Sequence, residues 1–246
     1  MLSPSRASFY GRYAYRRQLP AEVLNSFGTE TALLGQFVLV RFFETKPWET
    51  TLFFSLMHLS FFLSPWFAEQ MRGRPTRPFF FVMMAISLPA FLATALTRGF
   101  WGIGPSLLVA NIAFVAIFVP LRNRLMRSNY ADAERGAAYA TFKRTSALTF
   151  FGCALWAAHS LESDRSLIHV VLPIAGLLSA AGLYLFSRIR ERGETWRLRS
   201  ETDRPRRGFV DVYRDLFRLY RDEPGFRRYQ IAFLIYGLGF MFTIPP

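Results

Sequence analysis

Apolar residues in this chain run in long blocks, not at the period of 2 or 3.6 expected where one face of an element meets water. Six blocks, near 24–43, 50–68, 78–97, 100–121, 138–158 and 167–187, are each about 20 residues long, the length a helix needs to cross about 30 Å of hydrocarbon. Lipid offers no hydrogen bonds, so blocks of this kind are predicted to be helices, with Pro65, Pro89, Pro105 and Pro173 as kinks or end positions. The first block is the weakest, because it holds Glu30, Gln36 and Arg41. Another apolar run opens after Gln230 and continues to Pro246. The predicted class is all-α: a polytopic transmembrane helical bundle of six helices, with the start of a seventh.

Charge gives the bundle an orientation. Cytoplasmic loops hold the Lys and Arg excess, and acidic residues contribute little. Alternate connections carry four basic residues before the first block, three in the second connection, six in the fourth and thirteen in the sixth. The opposite side carries only Arg41, Lys46, Arg98 and Arg165, set among Glu44, Glu49, Glu162 and Asp164. The expected organisation is a cytoplasmic N-terminal segment over 1–23, a six-helix bundle over 24–187, a basic cytoplasmic loop over 188–229 and the start of a seventh helix over 230–246. The expected place is the cell (cytoplasmic) membrane, multi-pass, with the N-terminus cytoplasmic. Within the loop, a charged run over 188–207 reads as solvated. After it, Phe209, Tyr213, Leu216, Phe217 and Tyr220 share one helical face, suited either to anionic lipid headgroups or to packing under the bundle.

Composition fits this reading and excludes others. A chain that is 52% hydrophobic, with 27 Phe and a formal charge of +13, suits spans in lipid joined by basic loops. The basic residues flank apolar blocks without a nucleic-acid motif, so no nucleic-acid partner is expected. A single cysteine, Cys153, excludes an intrachain disulfide and any cysteine-cluster metal site. Three scattered histidines make no enzyme centre, and GxxxxGK[ST] is absent. Neither catalysis, nor a cofactor, nor a metal is expected.

The layout and three short segments carry a resemblance. Phe62-Leu-Ser-Pro-Trp-Phe-Ala-Glu-Gln-Met-Arg-Gly-Arg74 stands between the second and third blocks, Asn129-Tyr-Ala-Asp-Ala-Glu-Arg-Gly136 precedes the fifth, and Asp222-Glu-Pro-Gly-Phe-Arg-Arg228 leads to the seventh. Together they resemble the N-terminal half of a major facilitator superfamily transporter. The first segment occupies the place of that family's G-x-x-x-D-R-x-G-R-[RK]. Gly73 and Arg74 match, Trp66, Gln70 and Met71 depart from it, and Glu69 offers a carboxylate one residue from the family's aspartate. The resemblance implies a cytoplasmic gating loop built on Glu69, Gly73, Arg74, Arg135 and Gly136. It also implies half of a duplicated twelve-helix carrier, so the chain is expected to be a fragment whose partner is a second transporter half.

A carrier holds a small-molecule solute near the bilayer midplane with polar groups inside its spans. Gln36, Asn111 and His58 are the candidate substrate-binding residues, and hydrogen bonding between helices is the alternative role for each. Glu30 is the candidate for proton coupling, because low dielectric favours a neutral carboxyl and the balance shifts as a cavity opens. Near a water-facing helix start the same residue would be an ordinary solvated acid. The expected function is secondary active transport by alternating access, the alternative a non-transporting membrane scaffold or partner subunit.

Overall fold

The computed structural model describes residues 8–43, 45–202 and 206–243, and all elements among them are helical. α1 (Phe9–Phe42), α2 (Pro47–Gln70), α3 (Arg77–Ala93), α4 (Phe100–Asn129), α5 (Asp132–Ser163) and α6 (Ile168–Ser187) each coincide with one apolar block. α7 (Glu194–Thr202) follows, then α8 (Phe209–Asp222) and α9 (Pro224–Thr243). The chain divides into two units, Met1–Arg204 and Pro205–Pro246.

Among the described residues, three helices are long and apolar enough to cross a membrane: α2, α4, and α6 with the 3-10 turn before it, over Arg165–Ser187. α3 is apolar but shorter, at 17 residues or about 25 Å. Its predicted block ran to 97, yet the helix stops at Ala93, where the Thr94 hydroxyl donates to the carbonyl of Phe91 and a turn follows. α1 starts at Phe9, well before the block at 24, because its first turns bury Ala14 and pack Tyr15 against Phe142 of α5. Hydropathy does not register that burial, since exposed arginines alternate with it. The four prolines all lie inside helices. α4 contains a π-helical stretch over Ala113–Phe118, a widened turn often found at functional sites.

Contacts in the first unit give each helix a direction. At one end the Trp101 indole donates to Glu49 at 3.0 Å, and Nδ1–H of His169 donates to the Thr94 carbonyl at 2.7 Å. These bonds gather the starts of α2, α4 and α6 with the end of α3. At the other end Arg124 donates to the carbonyls of Met71 and Arg74 at 2.7 and 2.8 Å, Arg17 to that of Arg188 at 3.4 Å, and the amide of Ser8 to Glu134 at 2.8 Å. The ends of α2, α4 and α6 therefore meet the starts of α1 and α5. Phe43 and Leu161 share a pocket with Arg98, which returns the ends of α1 and α5 to the first end. Successive helices alternate in direction through all six.

The core lies between α3, α4 and α6, where Phe80 stacks on Phe186 at 5.6 Å and Ile103, Leu107, Ile117 and Leu121 are fully enclosed. α1 and α6 approach closely at two glycines. A Cβ on Gly182 would stand 2.4 Å from the backbone nitrogen of Asn25, and one on Gly28 would stand 2.4 Å from the Cβ of Ser179. In the second unit, α8 has rings of Phe209 and Tyr213 4.6 Å apart and opposes them with ion pairs Arg207–Asp215 and Arg214–Asp211.

Candidate functional site

α1 carries Gln18, Glu22, Asn25 and Ser26, spaced i, i+4, i+7 and i+8 and hence on one face. All four are buried. Oε1 of Glu22 accepts from Nε of Arg122, on α4, at 2.6 Å and from Nε2 of Gln18 at 3.1 Å. Oε1 of Gln18 accepts from the Tyr130 hydroxyl at 3.1 Å. The Arg122 guanidinium lies 5.2 Å from the Tyr139 ring centre on α5, and Asn25 accepts from Ser179 of α6 at 3.0 Å. Four helices thus meet in one polar cluster. Burial, and then the charge of Glu22, push the Tyr130 phenol well above its ordinary range, which keeps it a donor.

Energetics separate this cluster from ordinary helix glue. The side chains of Glu22 and Arg122 are 4% and 11% exposed, and removing each ion from water costs several kcal/mol. One short ion pair, one amide bond and one aromatic face offset that cost in part. Nη2 of Arg122 is enclosed without a hydrogen-bond partner among the described residues, which adds to it.

A second cluster closes the basic end. The loop between α2 and α3 turns at Gly73, whose φ of 64° favours glycine. Its amide donates to Glu201 of α7 at 2.8 Å, while the Arg74 carbonyl accepts from Arg124 and Arg197. Glu191 stands behind the loop with its side chain only 1% exposed, at 3.3 Å from Arg124 and 2.8 Å from Arg197, and it accepts from Ser128 at 2.9 Å. The run over 188–207, expected to be solvated, is therefore folded in its first half. α7 and the buried Glu191 clamp the loop because two guanidinium groups compensate that carboxylate.

The residues singled out from sequence are distributed differently. Gly73 and Arg74 lie in the clamp, the latter through its carbonyl. Glu69 pairs with Arg72 at 2.7 Å, Arg135 pairs with Asp132 at 2.5 Å, and Gly136 has open space where a Cβ would go. Glu30 accepts from Ser146 of α5 at 2.6 Å. Asn111 donates to the Met57 carbonyl and the Ser60 hydroxyl, both at 3.3 Å, which ties α4 to α2. His58 is exposed on α2 beside Phe61. Gln36 belongs to α1, but its side chain lies outside those described. Of the three candidate substrate residues, Asn111 and His58 have described side chains, and Asn111 bonds to the turn of α2 that carries His58.

Sequence reasoning missed Gln18, Glu22 and Arg122. A block drawn from 24 put the first two in a loop, and Arg122 entered only as a loop charge. The missed signal was the polar stripe at helical spacing over 18–29, which Thr29 extends by another turn. Among the described residues no three of His, Cys, Asp or Glu gather to hold a metal ion. No protein-family model matches this chain, and no curated protein matches it.

Proposed function

We propose that the chain is a carrier-type membrane bundle, in which all six helices cross the cytoplasmic membrane and a small solute moves by alternating access. The observation that carries this reading is the ion pair Glu22–Arg122, buried between the first and fourth helices. The pair lies near the basic end of the bundle, two residues from Arg124 on α4; ionisable groups enclosed between helices are expensive, and in membrane bundles those that face the interior mark solute or proton pathways. A carboxylate that neutralises a guanidinium also supplies a proton-coupling step: protonating Glu22 would release Arg122 to another anion. Its Nη2 already lacks a hydrogen-bond partner among the described residues.

Two further features support the reading. Helix directions alternate, so if α2 and α4 cross the membrane, α3 between them crosses as well, and α5 follows from α4 and α6. The clamp of Glu191, Arg124 and Arg197 holds the loop after α2, the loop to which the resemblance to the major facilitator superfamily assigns a cytoplasmic latch. Its carboxylate comes from beyond α6, not from the motif. The basic end then faces the cytoplasm, where α8 is suited to anionic headgroups.

Stability and transport separate a coupling pair from a structural one. Glu22→Gln alone leaves a buried guanidinium unpaired and should cost about 3–5 kcal/mol, whereas Glu22→Leu with Arg122→Met should be no less stable than wild type. Proteoliposomes under an imposed proton gradient would be tested with radiolabelled organic anions, sugars and amino acids. The carrier reading expects accumulation of at least one solute by wild type and none by the stable double variant. A folded chain that moves no solute, alone or with a second-half partner, would favour the scaffold or partner-subunit alternative.

A further inference from the structure

Nε and Nη2 of an arginine form one fork, which fits both oxygens of a planar oxyanion. At Arg122 Glu22 uses only half of that fork. Its Oε1 accepts from Nε at 2.6 Å and is shared with Nε2 of Gln18 at 3.1 Å, while Nη2 is enclosed without a hydrogen-bond partner among the described residues. Arg122 as a whole is 9% exposed, so the unused donor is shut off from water.

α5 brings a second cation to the same place. Tyr139 and Lys143 stand four residues apart and hence on one face of that helix. The Arg122 guanidinium lies 5.2 Å from the Tyr139 ring centre, and Lys143 is near enough for its charge to act on Glu22. Both α5 residues are exposed, so the face they share leads from the surface to the enclosed fork. Two cations therefore meet one carboxylate. The remaining titratable groups lie further out: Tyr130 bonds to Gln18, and the charges of Glu134 and Tyr15 act on Tyr130. From α6 the neighbour is the neutral Ser179, at Asn25.

We propose that this fork is the binding site of a small monovalent oxyanion, held by Nε and Nη2 of Arg122 and by Lys143, and that each anion enters with one proton on Glu22. The inference rests on the coupling role proposed for Glu22 and adds the class of solute and the stoichiometry. An ionised Glu22 beside a bound oxyanion would set two like charges in one enclosed place, which favours protonation. The proton passes from solution to a carboxyl oxygen of Glu22, and the hydrogen bond from Nε passes from Glu22 to the anion. Proton and anion cancel, so the cluster carries the same charge loaded and empty, and movement of the pair is electroneutral.

Titration calorimetry on the purified full chain in neutral detergent tests this with acetate and benzoate and with their uncharged amides. At least one anion should bind saturably, and its amide at least tenfold more weakly. Between about pH 6 and 8, where both anions stay ionised, affinity should fall as pH rises, by up to about tenfold per unit for one linked proton. Lys143→Gln should weaken anion binding roughly tenfold, and Lys143→Arg should retain most of it. Glu22→Gln, neutral at every pH, should bind the anion without that pH dependence, and the anion should raise its melting midpoint more than it raises that of wild type. Should Glu22→Gln fail to fold, the wild-type pH dependence and the Lys143 variants carry the test. Equal affinity for anion and amide, affinity unchanged between the two pH values, or undiminished binding by Lys143→Gln would overturn the proposal. Proton-linked anion binding by a chain that moves no solute would uphold this site and count against the carrier reading, whereas carriage of an uncharged solute without anion binding would do the reverse.

Discussion

Glu191 is one carboxylate holding two guanidiniums and a hydroxyl while its side chain is almost wholly enclosed. Glu191→Gln keeps the shape and removes the charge, so Arg124 and Arg197 lose their shared counterion. The expected cost is about 2 kcal/mol, within the range for hydrogen bonds to charged groups. For a chain of this size that is a drop in melting midpoint of about 4–8 °C, read by intrinsic fluorescence in detergent. An unchanged midpoint would mean that the clamp contributes nothing to stability. At this scale the sequence was only partly readable. Gly73 and Arg74 stood out as a motif, but Glu191 looked like one charge among many in a basic run. Its burial depends on Arg124 and Arg197, which lie 67 and 6 residues away along the chain. Glu22 and Arg122, 100 residues apart, were hidden for the same reason. Short-range spacing reveals a polar face but not the partner that makes it buried.

Helices α1 and α6 are held together by shape. A methyl group on Gly182 would collide with α1 backbone at Asn25 and Ala21, which no side-chain rotation relieves. Gly182→Ala should therefore cost about 1–3 kcal/mol through overpacking. Gly136, near the start of α5, is the contrast, with nothing within 4 Å of an added Cβ. Gly136→Ala should raise stability by about 0.5–1 kcal/mol through helix propensity alone. Melting midpoints that fall for the first and rise for the second would match this account, and the reverse order would contradict the packing of α1 on α6. Helix existence was readable from apolar blocks, because lipid-length runs have few other solutions. Helix ends were not. The start of α1 is fixed by burial against α5, and the end of α3 by a threonine turn.

On the scale of the whole molecule, three helices among the described residues meet the length and composition of a membrane span, and the proposed carrier has six. The two arrangements differ in where the loops emerge. With six crossings, the connection between α2 and α3 faces the cytoplasm and the one between α3 and α4 faces the other side. With only α2, α4 and α6 crossing, those two connections share a side, and so do the connections before and after α5. Single cysteines at Pro75, Leu96, Ala131 and Ser166, all exposed, in a Cys153→Ala background, distinguish the two by labelling intact cells with a membrane-impermeant maleimide. The account predicts labelling from outside at positions 96 and 166, and at 75 and 131 only after permeabilisation. Labelling of 75 together with 96, or of 131 together with 166, from the same side would contradict it.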